Sequence, residues 1–137
     1  MARIKYNYDA MKFIAMFESL TGAKLKDCIL DENIIFVVSQ NDMGKAIGKN
    51  GSNIKRMEGI FKKKIRMIEF NDDICKFVGN LIYPLKAKEI AENDGVVEIL
   101  AEDIKSKGML IGRDRNRINS ITEMVKRYFQ VKEVKVV

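Results

Sequence analysis

The chain has 137 residues, enough for one ordinary domain or two very small ones, and a folding composition of 47% hydrophobic and 32% charged residues with a net charge of +6. It has two cysteines, Cys28 and Cys75, and no histidine, which excludes His-based catalytic triads and most zinc sites. We expect both cysteines to be small buried residues in a reducing compartment. No apolar run is long enough for a membrane span or a signal peptide, so we predict a cytoplasmic protein without membrane contact.

The first half of the chain predicts a helix, two strands, two helices and a strand, in that order. Apolar residues recur at helical spacing over about residues 8–21. Gly22 follows directly, at the position where many helices end in a left-handed residue, usually glycine. "KLKDCIL" and "IIFVVSQ" predict strands around the turn "DEN", "MGKAI" predicts a short helix, and "KIRMIEF" predicts a closing strand with Ile65, Met67 and Ile68 as its candidate buried residues. Ser52 or Asn53 can cap the second core helix. The buried face predicted for that helix consists of Ile54, Met57, Ile60 and Phe61.

The second half predicts the same order of elements. Asn71 is a favourable N-cap, and Asp72 and Asp73 in the first turn would complement the helix dipole. The apolar stripe that follows is the strongest in the chain, ends before Pro84, and consists of Ile74, Phe77, Val78, Leu81 and Ile82. The unit continues with strands "AKEIAE" and "GVVEILAE" and a short helix near 104–111. A longer helix and a last strand at 131–137 complete it. The inward-facing residues of the longer helix would be Ile118, Ile121, Val125 and Tyr128.

The two halves are copies of one unit. "GKAIGKNGSNIKRM" at 44–57 matches "GMLIGRDRNRINSI" at 108–121 at a constant offset of 64 residues, with similar apolar strands before and after each copy. A repeat of this length indicates two supersecondary units. We therefore predict two domains, residues 1–70 and 71–137, with equivalent loops at 48–51 and 112–115.

Positive charge is concentrated around these two loops. Residues 44–66 contain eight cations and one acid, and residues 104–117 contain five cations and one acid, whereas residues 86–103 contain two cations and six acids. Such clustering favours a polyanionic partner, although basic surfaces without one are common. The acids at 89–103 lack the spacing of metal ligands and predict a solvated face. We expect no metal site and no cofactor.

Three interpretations compete for the loop "GKNG" at 48–51. A nucleotide-binding loop would need four residues between Gly44 and Gly48 and a Ser or Thr in place of Asn50, and the dinucleotide pattern lacks its first glycine. A plain turn explains "NG" but neither the surrounding cations nor the repeat. In the third interpretation the loop lies against a sugar–phosphate backbone, where glycines permit close approach and Lys49 supplies a cation at a helix N-terminus. The charge and the duplication favour this one.

The stretch "AIGKNGSNIKRM" resembles the core of a KH module, in which a G-x-x-G loop joins two helices. The order of the elements resembles the type II, or prokaryotic, arrangement. The resemblance implies an α/β (α+β) fold of two tandem type II KH domains. Each would be α-β-β-α-α-β, with a three-stranded mixed sheet covered by helices.

Two such units that cover nearly the whole chain resemble the archaeal NusA-like transcription elongation and termination factors. The resemblance implies a non-enzymatic, monomeric protein that binds single-stranded RNA, the nascent transcript, along a continuous surface of both modules, with RNA polymerase as a candidate partner. The alternative is a module that docks on the ribosome or on RNA polymerase, mainly through protein or structured rRNA. An enzyme, the third hypothesis, would need convergent carboxylates or a true phosphate loop.

The predicted RNA-binding residues lie in and around the two loops, and none is catalytic. Those of the first module are Gly48, Lys49, Asn50 and Gly51, with added charge from Lys45, Lys55 and Arg56. Those of the second module are Gly112, Arg113, Arg115 and Arg117. Because Arg115 replaces the last loop glycine, the second module either binds weakly or contacts phosphates through its arginine side chains. The run of arginines favours side-chain contact, whereas Asp114 opposes it.

Overall fold

A computed structural model describes residues 8–30 and 32–137. The described chain divides into two compact units, one ending at Asn71 and the other spanning Asp72–Val137. Each unit contains a helix, two strands, two helices separated by a short loop, and a strand, in that order. This confirms the predicted α+β fold with mixed three-stranded sheets.

The first unit consists of α1 (Tyr8–Thr21), β1 (Leu25–Leu30), β2 (Ile34–Val38), α2 (Met43–Ile47), α3 (Ser52–Phe61) and β3 (Ile65–Glu69). Strand β2 is central, because it pairs antiparallel with β1 and parallel with β3. This position explains why β2 is an unbroken apolar run, "IIFVV".

An aromatic core holds the helices of the first unit on its sheet. The Phe36 ring of β2 lies 4.5 Å from the Phe17 ring of α1 and 6.4 Å from the Phe61 ring of α3, measured between centroids. Ala46 of α2 and Met57 of α3 are fully buried in the same cluster. The two helices that flank the GKNG loop are therefore anchored directly on the core, which limits the movement of the loop between them.

The second unit consists of α4 (Ile74–Ile82), β4 (Ala87–Asn93), β5 (Val96–Ala101), α5 (Ile104–Ile111), α6 (Asn116–Tyr128) and β6 (Glu133–Val136). Strand β5 is central, antiparallel to β4 and parallel to β6. The buried ring of Phe77 contacts Tyr128 and Phe129 at 5.6 and 5.7 Å between centroids. The predicted inward face of α6 is buried at Ile118, Ile121 and Val125, and Tyr128 is half-buried.

The predicted start of α4 is wrong by two residues. The N-cap is Asp73, not Asn71, because the Asp73 carboxylate accepts hydrogen bonds from the N–H groups of Cys75 and Lys76, at 2.9 and 3.3 Å. Asn71 and Asp72 precede the helix. An Asp and an Asn are nearly equal caps, so residue type alone did not distinguish the two positions.

Three predicted details around α3 are also wrong. Neither Ser52 nor Asn53 caps this helix, because both lie within its first turn and Gly51 is the N-cap residue. Ile60 is 46% exposed instead of buried. In β3 the predicted burial is confirmed for Ile68 only, while Ile65 and Met67 are half-buried against the core.

The two free cysteines differ in environment. Cys28 is buried in β1, and this burial, with the nearby charge of Asp27, raises the pKa of its thiol to about 11. Cys75 is only half-buried, which corrects the expectation that both are buried. Within residues 8–30 and 32–137, no helix is long and apolar enough to cross a membrane, and no three His, Cys, Asp or Glu side chains gather as metal ligands would.

Candidate nucleic-acid interface

The loop Gly48–Gly51 reverses the chain between α2 and α3. Helix α2 ends where the N–H of Gly48 donates to the carbonyl of Gly44 at 3.1 Å, and the N–H of Gly51 then donates to the carbonyl of Gly48 at 3.3 Å. Gly48 has φ 74° and ψ 174°, which is essentially restricted to glycine, and Asn50 and Gly51 are left-handed with φ 56° and 71°. Lys49 and Asn50 are exposed at the apex of this tight turn.

The structure gives Gly48 a role inside the protein. A Cβ atom on Gly48 would lie 2.7 Å from Nδ2 of Asn53 and 3.1 Å from Oγ of Ser52. That Asn53 amide donates to the carbonyl of Lys45 at 3.0 Å and so ties the first turn of α3 to the last turn of α2. Gly48 is therefore required by the packing of the loop itself, whatever the loop binds.

Gly51 differs from Gly48, because a Cβ on Gly51 would meet no atom within 4 Å. The missing side chain leaves open surface beside the start of α3. No N-cap side chain accepts a hydrogen bond from the first turn of this helix, so the positive end of its dipole is not occupied by a cap. An anion at this point would meet backbone N–H groups and the favourable end of the helix.

The predicted cations surround this apex. Lys45, Lys49, Lys55 and Arg56 are all exposed. In the part of the chain that the structure describes, none of the four forms an ion pair. The single acid of α3, Glu58, is half-buried and accepts a hydrogen bond from the N–H of Ile65 at 3.0 Å. The surface around the loop therefore carries four exposed cations, while the one acid of α3 is directed to the backbone of β3.

The second loop has the same backbone although its last residue is not glycine. Gly112 has φ 78° and ψ 170°, Asp114 has φ 55° and ψ 31°, and Arg115 has φ 62° and ψ 21°. The N–H of Arg115 donates to the carbonyl of Gly112 at 3.2 Å, as the N–H of Gly51 does in the first loop. Arg115 thus accepts a left-handed conformation that favours glycine, and its side chain is exposed.

Arg117 stands in the second loop where Asn53 stands in the first. A Cβ on Gly112 would lie 2.8 Å from both the backbone nitrogen and the Cβ of Arg117. The first glycine of each loop is therefore closely covered by the residue five positions later. Arg113, Arg115 and Arg117 are all exposed, and so is Asp114 between them.

Comparison with known proteins agrees with this geometry. Residues 14–106 match the KH domain family, from α1 of the first unit to the first turn of α5 in the second. The chain is 35% identical to "Probable transcription termination protein NusA" of Methanococcus vannielii, covering 98% of this chain and 80% of that protein. A protein of the same name from Halococcus morrhuae is 30% identical and covers 96% of this chain and 97% of its own. The chain belongs to the archaeal NusA-like family of KH proteins.

The NusA-like chain is also similar to a solved structure over almost its full length. The crystal structure of APE1850 has a TM-score of 0.75 and 27% sequence identity, with 96% of this chain and 100% of that chain covered. The family resemblance that rests on "AIGKNGSNIKRM" is confirmed by the match to the KH domain family and by the NusA relatives.

The structure brings together all the residues that were predicted around each loop of the NusA-like chain. Those of the first loop lie on α2, the turn and the first half of α3, and those of the second lie on the turn and the start of α6. Sequence reasoning missed Asn53 as part of the loop. The only available signal was its position five residues after Gly48, which has no meaning until the turn is folded.

We expect Arg115→Gly to stabilise the second unit by about 0.5–1 kcal/mol. The left-handed conformation disfavours a residue with a Cβ by about 1–2 kcal/mol, and the greater freedom of glycine in the unfolded chain offsets part of that gain. Urea unfolding of the variant and of the wild type would measure the difference. Arg113→Gly is the matched control, because residue 113 is not left-handed. It should not stabilise the unit, and equal stabilisation by both variants would contradict the argument.

Proposed function

We propose that this chain is a non-enzymatic RNA-binding protein of transcription, built of two tandem type II KH domains at residues 1–70 and 71–137. The observation that carries the proposal is the exposed GKNG apex, where a cation, an uncapped helix start and an open glycine position meet. Membership of the NusA-like family supports it, because its relatives are named as transcription termination proteins. Single-stranded RNA, the nascent transcript, would contact both domains of one monomer, with RNA polymerase as a second partner.

In the first domain, Lys49 and Asn50 contact phosphates, and Gly51 leaves room for the RNA backbone. Gly48 acts indirectly, by permitting the contact with Asn53 that shapes the turn. Further positive charge comes from Lys45, Lys55 and Arg56. In the second domain Gly112 has the role of Gly48, and phosphates are contacted through the side chains of Arg113, Arg115 and Arg117.

The first test is fluorescence anisotropy with short single-stranded RNAs at several salt concentrations, on the wild type and on Lys49→Asp/Asn50→Asp. We expect the variant to bind at least about tenfold more weakly, because a cation and a polar contact are replaced by two carboxylates. The slope of log affinity against log salt should fall by about 0.7 for each phosphate that the variant no longer neutralises.

Lys86→Asp/Asn93→Asp is a control with the same change in charge. Both residues are exposed, and both lie outside the two loops. This control should bind RNA with nearly the affinity of the wild type. If Lys49→Asp/Asn50→Asp also binds like the wild type, the loop assignment is wrong. If the wild type binds no single-stranded RNA, the alternative of a docking module is favoured. Sedimentation with ribosomes or RNA polymerase after nuclease treatment would test that alternative.

A further inference from the structure

The exposed side of α3 carries positive charge well beyond the GKNG loop. Within the helix, Lys55 and Gly59 are four residues apart, and so are Arg56 and Ile60, so these four residues lie on one side of α3. Lys62, the left-handed C-cap, and Lys63 directly follow the helix. All six residues are exposed: Lys55, Arg56, Gly59 and Ile60 on the helix, and Lys62 and Lys63 after its end. We call this surface the α3 track.

The α3 track ends in three consecutive exposed lysines, Lys62, Lys63 and Lys64, which line a shallow depression together with Glu58. The backbone holds these lysines in place. Lys62 ends the helix in a left-handed conformation with φ 55°, and the carbonyl of Lys64 accepts a hydrogen bond from the N–H of Ile34 at 3.0 Å. Among the residues that the structure describes, no acid forms an ion pair with any of the three.

A glycine stands in the middle of the track without a packing reason. A Cβ on Gly59 would meet no atom within 4 Å, and its φ is not positive. Glycine within a helix is unfavourable compared with alanine, so neither the helix nor the core benefits from Gly59. The absent side chain leaves the backbone of α3 open to close approach from outside, between two pairs of cations.

The second unit lacks the track, although its helix α6 is equivalent to α3. At the offset of 64 residues, Asn119 and Ser120 replace Lys55 and Arg56, and Glu123 replaces Gly59. The cations at the helix end are kept as Lys126 and Arg127, which fits their general role at a helix C-terminus. The earlier cations and the glycine therefore do not follow from the fold, since α6 folds in the same way without them.

We propose that the α3 track is a second phosphate-binding surface of the first domain, along which RNA leaving the GKNG loop continues to Lys62–Lys64. The proposal rests on the proposed function and extends it from the loop to a longer path. A ten-residue helix is about 15 Å long, so the track adds contacts that only an RNA longer than the loop footprint can reach. The exposed Ile60 offers an apolar contact to an unstacked base halfway along.

The test compares RNAs of four and twelve nucleotides, because a KH loop holds four backbone nucleotides. For the longer RNA, Gly59→Glu and the triple variant Lys62→Gln/Lys63→Gln/Lys64→Gln should each bind about tenfold more weakly, and the triple variant should lower the salt slope by about 0.7 for each phosphate left without its lysine. Affinity for the four-nucleotide RNA should stay within about twofold of the wild type, since the loop itself is unchanged.

Two controls separate binding from folding and from net charge. Glutamate is a better helix former than glycine, so Gly59→Glu should not lower the midpoint of thermal unfolding. Lys86→Gln/Lys88→Gln/Lys132→Gln removes three exposed lysines outside the track and should leave the affinity for both RNAs nearly unchanged. Equal losses of affinity from this control and from the track variant would overturn the proposal.

The outcomes also distinguish this proposal from the proposed function. If Lys49→Asp/Asn50→Asp loses RNA while both track variants bind the longer RNA like the wild type, the α3 track is refuted and the loop assignment stands. If the track variants keep RNA but lose binding to purified RNA polymerase, the track is a protein-docking surface and the proposal is likewise refuted. If neither the loop variant nor the track variants lose RNA, both assignments fail.

Discussion

Gly112→Ala is expected to lower the free energy of unfolding of the second unit by about 3 kcal/mol, from steric overlap and backbone strain together. The new Cβ would lie 2.8 Å from the backbone nitrogen of Arg117, which is fixed in the first turn of α6 and cannot rotate away. The φ of 78° with ψ of 170° is unfavourable for alanine as well. Urea unfolding followed by circular dichroism would measure the change.

The two glycines of the first loop provide graded controls. In Gly48→Ala the nearest atoms belong to the Asn53 side chain, which can turn aside if it gives up its bond to the carbonyl of Lys45, so we expect a smaller loss of about 2 kcal/mol. Gly51→Ala meets no atom and should cost about 1 kcal/mol, from the left-handed conformation alone. If Gly51→Ala were the most destabilising of the three, our assignment of their roles would be wrong.

These differences change how the G-x-x-G loop of this chain is understood. As a sequence pattern, both glycines suggested bare backbone for a nucleic acid to approach. In the folded loop Gly48 is covered by Asn53, whereas only Gly51 faces open space. Arg115, at the position of Gly51, keeps the same backbone and adds an exposed cation. The replacement therefore changes the chemistry of the second loop without changing its shape.

The order of the elements could be predicted because each has a local cause. Phe77, Val78, Leu81 and Ile82 recur at helical spacing, and the apolar run of β2 matches a central strand. Both loops were found through the repeat, which needs no three-dimensional information. Each correct prediction thus rests on residues that are close together in the chain or related by a fixed offset.

The details that could not be predicted depend on atoms that meet only after folding. Whether Asn71 or Asp73 caps α4 depends on which side chain reaches the N–H groups of the first turn. The exposure of Ile60 depends on how α3 rotates onto its sheet. The role of Asn53 depends on the turn that brings it over Gly48. In each case two arrangements have similar local energies, and packing decides between them.

Phe36→Ala is expected to cost about 3–5 kcal/mol and to unfold much of the first unit, because small domains have little stability in reserve. The ring is fully buried, and the cluster around it is drawn from α1, α2, α3 and the strands of the same unit. We expect the amide NMR signals of residues 8–71 to lose their dispersion and those of 72–137 to keep it. Phe77→Ala is the matched change in the second unit and should give the reverse pattern.

The same pair of variants divides the RNA affinity between the two loops. Phe36→Ala removes the supports of the GKNG loop and should abolish what Lys49 and Asn50 contribute, whereas Phe77→Ala should leave that contribution intact. Any binding that survives Phe36→Ala measures the second loop with its arginines. If either variant unfolded residues 8–137 in one cooperative transition, the two units would be a single folding domain, and the proposed division at residue 70 would be wrong.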